Sequence, residues 1–121
     1  TLLSTGNMLR EALQAADQLR REKIDARVIN MHTTKPIDKA AIQKAARETK
    51  GIITVEEHNV IGGLGSAVAE VLVESGLRTK MKIIGIPDTF STYIGNQEFL
   101  KGKYGLTTQA IVKQAKRMLK K

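Results

Sequence analysis

Ile52-Ile53-Thr54-Val55-Glu56-Glu57-His58-Asn59-Val60-Ile61-Gly62-Gly63-Leu64-Gly65 is the stretch on which the fold turns. Residues 52–55 are a compact β-branched run without polar alternation, the pattern of a strand covered on both faces, as in a parallel sheet. Residues 56–61 read as a six-residue polar loop. Gly62 to Gly65 then open a helix that turns Leu64, Val68, Val71 and Leu72 inward and stops at Gly76.

The same strand-then-helix unit recurs on either side. Thr1 to Thr5 reads as a short apolar strand, broken by Gly6 and Asn7, with Asn7 placed to cap a helix. Leu9, Ala12, Leu13, Ala16 and Leu19 form one apolar stripe that ends near Arg21. Ala26 to Met31 reads as a second strand. Pro36 holds Lys35 out of helical geometry, and Asp38 is placed to cap a helix with Ala41, Ile42, Ala45 and Ala46 on one side. Met81 to Ile86 is a fourth strand. A looser region follows, and a basic helix begins near Thr107. Four alternations with short connections predict an α/β fold: a largely parallel sheet with helices on both faces, one domain over residues 1–121.

Composition narrows the functional classes. A chain of 121 residues and 13.3 kDa fits one domain. Apolar residues at 41% and charged residues at 26% exclude a disordered or membrane-embedded chain. The apolar runs are a few residues long, too short for a membrane-spanning helix. With no cysteine there is no disulfide framework, thiolate metal site or cysteine nucleophile. That count fits a reducing compartment, and a cytoplasmic location is expected. The chain opens on Thr1 and enters a strand at once, so we expect a section of a longer polypeptide.

Charge is concentrated at one end. Seven basic residues and no acid lie between Lys101 and Lys121, leaving +1 of the overall +8 to the first hundred residues. Within that tail Ile111, Val112, Ala115, Met118 and Leu119 recur at helical spacing with the cations between them. The pattern predicts a docked helix with a solvated basic face, its cations favourably placed near its carboxyl end. Nucleic-acid binding through the basic face is the rival reading.

The candidate chemistry gathers after the third strand, where open α/β sheets hold ligands. Gly63-x-Gly65 supplies two glycines of a dinucleotide fingerprint, but Val68 stands where the third belongs. Glu56 and Glu57 would favour a helix N-terminus and repel a phosphate, so the site suits a helix cap or a protein contact better than a phosphate cradle. On extended backbone only Glu56 and His58 share a side. Two ligands are too few for a closed metal site, so His58 is expected as a loop or interface residue rather than a general acid or base. No Gly-x-Ser-x-Gly and no Walker A motif occur. The four aromatics Phe90, Tyr93, Phe99 and Tyr104 lie beside Lys101 and Lys103. They fit a base-stacking platform, a protein-interface anchor or a satellite core.

In order, the chain resembles the C-terminal domain of thiamin-diphosphate enzymes of the transketolase family over nearly its whole length. The matching segments are Ser4-Thr5-Gly6, Lys35-Pro36-Ile37-Asp38, Glu56-Glu57-His58, Gly62 to Glu70, Gly85-Ile86-Pro87-Asp88-Thr89-Phe90 and Tyr104-Gly105-Leu106. The likeness is greatest to split transketolases, whose C-terminal section is a separate chain; the same domain of deoxyxylulose-phosphate synthase or of a 2-oxo acid dehydrogenase beta subunit is similar.

The resemblance implies a three-layer α/β/α domain with a mostly parallel five-stranded sheet. One strand, the first, would be antiparallel, and a fifth would lie near Phe90 or Tyr93 or at an edge. It implies that the pyrophosphate- and pyrimidine-binding domains, absent from these 121 residues, bind thiamin diphosphate and magnesium, so no catalytic, cofactor-binding or metal-ligating residue carries over. The whole enzyme would transfer a two-carbon ketol unit between sugar phosphates, as in the pentose phosphate pathway, as a homodimer. This chain alone would be inactive, serving assembly at the dimer interface and active-site entrance. Glu56, Glu57, His58, Gly62, Gly63, Gly65 and Asp88 are the candidate interface or entrance residues. A nucleic-acid module, and a small-molecule sensor at the crevice beside Gly62, are the readings of another class.

Overall fold

The computed structural model describes residues 1–120. Its strands are β1 (Leu2–Ser4), β2 (Val28–Asn30), β3 (Gly51–Asn59) and β4 (Lys80–Ile86). Its helices are α1 (Leu9–Arg21), α2 (Lys39–Glu48), α3 (Leu64–Glu74), α4 (Gln97–Lys103) and α5 (Thr108–Leu119), with a 3₁₀ turn at Gly6–Met8. The sheet order is β2-β1-β3-β4 and every pairing is parallel, with Leu3 level with Ile29 on one side and Thr54 on the other.

Two-residue alternation gives the sheet two apolar faces. Leu2, Ile53 and Val55 point to one side and pack under α1 and α5 with Ala12, Leu19 and Ile111. Leu3 and Ile52 point to the other and pack under α2 and α3 with Ile42, Leu64 and Val68. The expected three layers are present.

The strand count differs from the expectation. Among the described residues the sheet has four strands, and β1 is central and parallel to both neighbours rather than antiparallel. No strand forms near Phe90 or Tyr93, because Thr89 N–H bonds back to the Pro87 carbonyl at 2.7 Å and turns the chain away from the sheet. The antiparallel contact among these residues is an isolated bridge between Thr34 and Ile37.

Local signals mostly govern the helix ends. The Asp38 side chain accepts from Ala41 N–H at 2.9 Å, and Thr107 accepts from Ala110 N–H at 3.2 Å. Asn7 does not cap α1; it lies within the 3₁₀ turn that begins at Gly6, whose φ is +59°. The buried stripe of α1 includes Ala15, and Leu13 is half exposed. α5 is the docked basic helix: Ile111 and Ala115 are buried, Lys116 pairs with Glu22, and Lys80 Nζ donates to the Met118 carbonyl at 3.1 Å. Lys121 lies outside the described residues. No described helix is long and apolar enough to cross a membrane.

Candidate functional site

β3 does not stop at Val55. It runs on to Asn59 with an irregularity in its pairing to β4 after Val55, so the residues read as a polar loop are largely strand. The cause is Glu56, which is 0% exposed. One carboxylate oxygen accepts from Leu64 N–H at 2.6 Å and the other from Gly65 N–H at 2.9 Å. These are the first two N–H groups of α3, which have no partner within the helix. The positive end of the helix dipole adds to the charge-assisted bonds.

Glycines make room for this carboxylate. A Cβ at Gly63 would collide with Glu56 Oε2, and one at Gly65 would come within 2.6 Å of Ile83 Cγ1. One at Gly85 would lie 2.9 Å from the His58 carbonyl and 3.2 Å from Glu56 Cγ. Gly62 has a φ of +76° and its N–H donates to Ser66 Oγ at 2.9 Å. The motif is thus a socket for a buried side chain, which corrects the placement of Glu56 among surface residues. The anion favoured by the helix terminus is supplied from within the chain.

Of the other candidates, Gly65 is buried, while Glu57, His58, Gly62 and Asp88 reach the surface at or beyond the carboxyl ends of β3 and β4. Glu57, on the opposite side of the strand from Glu56, accepts from Gln97 Nε2 at 3.0 and 2.9 Å. His58 is 69% exposed at its side chain, with Nδ1 4.0 Å from Glu56 Oε2. These two share a side, as the strand period requires. Asp88 accepts from Asn59 Nδ2 at 2.9 Å, and Asn59 Oδ1 accepts from Ile61 N–H at 2.8 Å, so the loops after β3 and β4 are tied together. His32 lies apart and meets the Thr33 hydroxyl at 2.8 Å.

A second ensemble beside these residues escapes the sequence reading. Lys101, on α4, is buried and donates to Glu11 Oε1 of α1 at 2.6 Å. Arg10 and Glu98 complete a four-charge cluster, with Arg10 3.6 Å from Glu98 and Lys101 3.7 Å from Glu98. Burial pushes the Glu11 carboxyl up, but the Lys101 hydrogen bond and ammonium, a backbone N–H and Arg10 outweigh it and hold the group below its ordinary 4.5. Between α4 and the strand ends lies a cavity of about 400 Å³ lined by Glu57, Ile86, Gln97, Leu100, Lys101 and Tyr104.

Both oxygens of Glu56 are committed to α3, and no three His, Asp or Glu side chains among the described residues converge as metal ligands do. The architecture is that of an α/β/α domain whose strand-end face is tied together by its own side chains.

The chain belongs to the transketolase C-terminal domain family, whose model matches residues 1–111. It is 44% identical over 115 residues to a 6-deoxy-6-sulfo-D-fructose transketolase subunit of Clostridium sp. (strain MSTE9), covering 95% of this chain and 35% of that protein. It is 41% identical over 121 residues to a putative transketolase C-terminal section of Methanocaldococcus jannaschii, covering 100% of this chain and 37% of that one. With 1-deoxy-D-xylulose-5-phosphate synthase of Desulforudis audaxviator the identity is 42% over 116 residues, covering 95% and 18%. A solved split-gene transketolase, described as an inactive beta4 tetramer, superposes with a TM-score of 0.89 at 42% identity, over 98% of this chain and 38% of that one. The chain therefore spans little more than a third of these split-subunit relatives.

Proposed function

We propose that this chain is the assembly domain of a thiamin-diphosphate-dependent transketolase that moves a two-carbon ketol unit between sugar phosphates, as in the pentose phosphate pathway. It acts as one domain over residues 1–121. The pyrophosphate- and pyrimidine-binding domains of the same enzyme are its partners, and they hold thiamin diphosphate and magnesium. The complete enzyme is a cytoplasmic homodimer. The reading is carried by the commitment of the strand-end carboxylates, with Glu56 on α3, Glu57 on Gln97 and Asp88 on Asn59. Side chains bonded in this way can hold a surface in shape.

Calorimetry tests the division of labour. Thiamin diphosphate titrated into this chain with magnesium present gives no binding signal at micromolar concentrations; tight binding would overturn the proposal. Glu57, His58 and Asp88, with Gly62 beside them, form the docking surface. Glu57→Lys loses the Gln97 bond and reverses the charge of that surface. Its association with the partner domains weakens about tenfold or more, while its thermal unfolding stays close to that of the parent chain. Unchanged association with a collapsed fold would make Glu57 structural.

The deoxyxylulose-phosphate synthase relative supports a second reading, the same assembly role in that synthase. The beta4 assembly of the split-gene neighbour supports a further part of the proposal: without its partner domains, this chain assembles with copies of itself.

A further inference from the structure

Two hollows join end to end along the outside of the α1 and α5 layer. One, of about 280 Å³, is bounded by Gln14, Gln18, Arg21, Thr108 and Gln109. The other, of about 470 Å³, shares Gln18 and Gln109 with it and continues past Val112 to Lys113, Lys116, Arg117 and Lys120. They make one groove between two helices that run side by side in the same direction. Thr108 Oγ1 bonds Gln14 Oε1 at 3.0 Å, and about two turns further along both helices Lys116 pairs with Glu22. The groove is lined by amides at one end and by cations at the other. Arg21, Lys113, Lys116, Arg117 and Lys120 face only Asp17 and Glu22 as acids. Among the described residues Lys116 is the one cation of these five with an ion-pair partner, whereas Arg27, Lys39 and Lys101 elsewhere are each paired. The carboxyl ends of α1 and α5 offset about half a charge each, which leaves the groove positive. Lys80, at the start of β4, donates to the Met118 carbonyl near the end of α5. The basic end of the groove therefore lies at the amino ends of the strands, across the domain from Glu57 and Asp88.

We propose that this groove binds an acidic polypeptide segment of a protein partner, at a surface separate from the strand-end face. The inference does not rest on the transketolase reading. Charge sets the sign of the occupant and spacing sets its kind. Lys113 and Arg117 stand one turn apart on α5, about 6 Å along its axis. Alternate residues of an extended peptide repeat every ~6.6 Å, so carboxylates on alternate residues fall opposite successive cations. The glutamine amides at the other end both donate and accept, as a peptide backbone does. A nucleic-acid strand would meet the same cations without a ring to stack on, because Phe90, Tyr93, Phe99 and Tyr104 all lie outside the groove.

Fluorescence anisotropy on this chain tests the inference with three labelled probes: a peptide of about ten residues alternating Glu and Ser, its Gln-Ser analogue, and an oligothymidylate of equal charge. The Glu-Ser peptide binds, its affinity falls as salt rises, and the other two bind about tenfold or more weakly. Lys113→Glu combined with Arg117→Glu weakens the Glu-Ser peptide about tenfold or more. Lys44→Glu combined with Arg47→Glu makes the same change of net charge on exposed positions of α2 and leaves binding within about twofold. Equal loss in both double variants assigns binding to overall charge and overturns the groove. An oligothymidylate that binds as tightly as the Glu-Ser peptide overturns the choice of occupant, and no binding of the peptide at low salt overturns the proposal outright. Amide chemical shifts of the parent chain need no variant. With the Glu-Ser peptide they move at residues 14–22 and 109–120, and movement confined to another face rejects the groove.

Discussion

Glu56→Ala destabilises the chain by about 3–4 kcal/mol, a large fraction of the 5–15 kcal/mol typical of a domain. Two mechanisms add. Leu64 N–H and Gly65 N–H lose their acceptor in a buried setting, and each buried unsatisfied donor costs about 1–3 kcal/mol. The N-terminus of α3 also loses the carboxylate that opposes its dipole, a term of about 1 kcal/mol that overlaps with the first. Glu56→Gln keeps the volume and one accepting oxygen, but turns an NH₂ toward an N–H, and costs about half as much. Urea unfolding checks both: the midpoint falls in the order parent, Gln, Ala, with an unchanged slope. Gly63→Ala gives an internal control. Its methyl would collide with the carboxylate, so it is damaging in the parent chain and milder once Glu56 is already Ala. An additive double variant, or an Ala variant as stable as the parent, removes Glu56 from the capping role.

That socket also marks where the sequence stops being readable. A β-branched run announces a buried strand, and Ile52 to Val55 are buried as the pattern demands. A carboxylate next in line announces a loop, because an unpaired charge is costly to bury. Here it is paired, but its partners are backbone N–H groups eight and nine residues ahead, which carry no side-chain signature. The trace left in the sequence is the spacing of Gly63, Gly65 and Gly85, whose meaning depends on which atoms approach them in space. Asp38, by contrast, was legible because a cap bonds its own chain three residues on.

Short range fails elsewhere for related reasons. α4 has seven residues, includes Gly102, and starts at Asn96, whose side chain accepts from Phe99 N–H at 2.9 Å. It is too brief to show a periodic stripe, and the fifth strand expected near Phe90 or Tyr93 rested on the family resemblance alone. On α1, Ala12, Ala15, Ala16 and Leu19 are buried while Leu13 is half exposed. Counting the larger Leu13 into the stripe in place of Ala15 rotated the apolar face. The segments at Lys35-Pro36 and Gly85-Ile86-Pro87 carried the family resemblance without fixing the strand count, because sheet membership at an edge depends on one turn, here at Pro87–Thr89.

Lys101→Met exposes the least legible interaction of all, a pair ninety residues apart in sequence. Glu11 and Lys101 are each 5% exposed, and Glu11 Oε2 has no partner, so the pair is enclosed but not fully satisfied. Removing the ammonium leaves a buried carboxylate with the more distant Arg10 at 3.4 Å, and breaking such a pair costs about 3–5 kcal/mol. Replacing both partners, Glu11→Leu with Lys101→Met, restores most of that loss, because the unpaired charge is gone. The pH dependence has a definite sign. The native Glu11 carboxyl titrates below 4.5, so its contribution is complete above 4.5 and disappears as pH falls through the lower native value. In Lys101→Met the same carboxyl titrates higher and accepts a proton sooner. The stability gap between parent and variant is therefore widest at pH 7 and narrows toward pH 3. Urea midpoints at the two pH values read it directly, and a gap independent of pH would assign the loss to side-chain packing. Because α4 also carries Gln97 against Glu57, the variant loosens the strand-end face as a unit. Amides of α4 exchange faster in Lys101→Met, and those at the centre of β1 keep their protection.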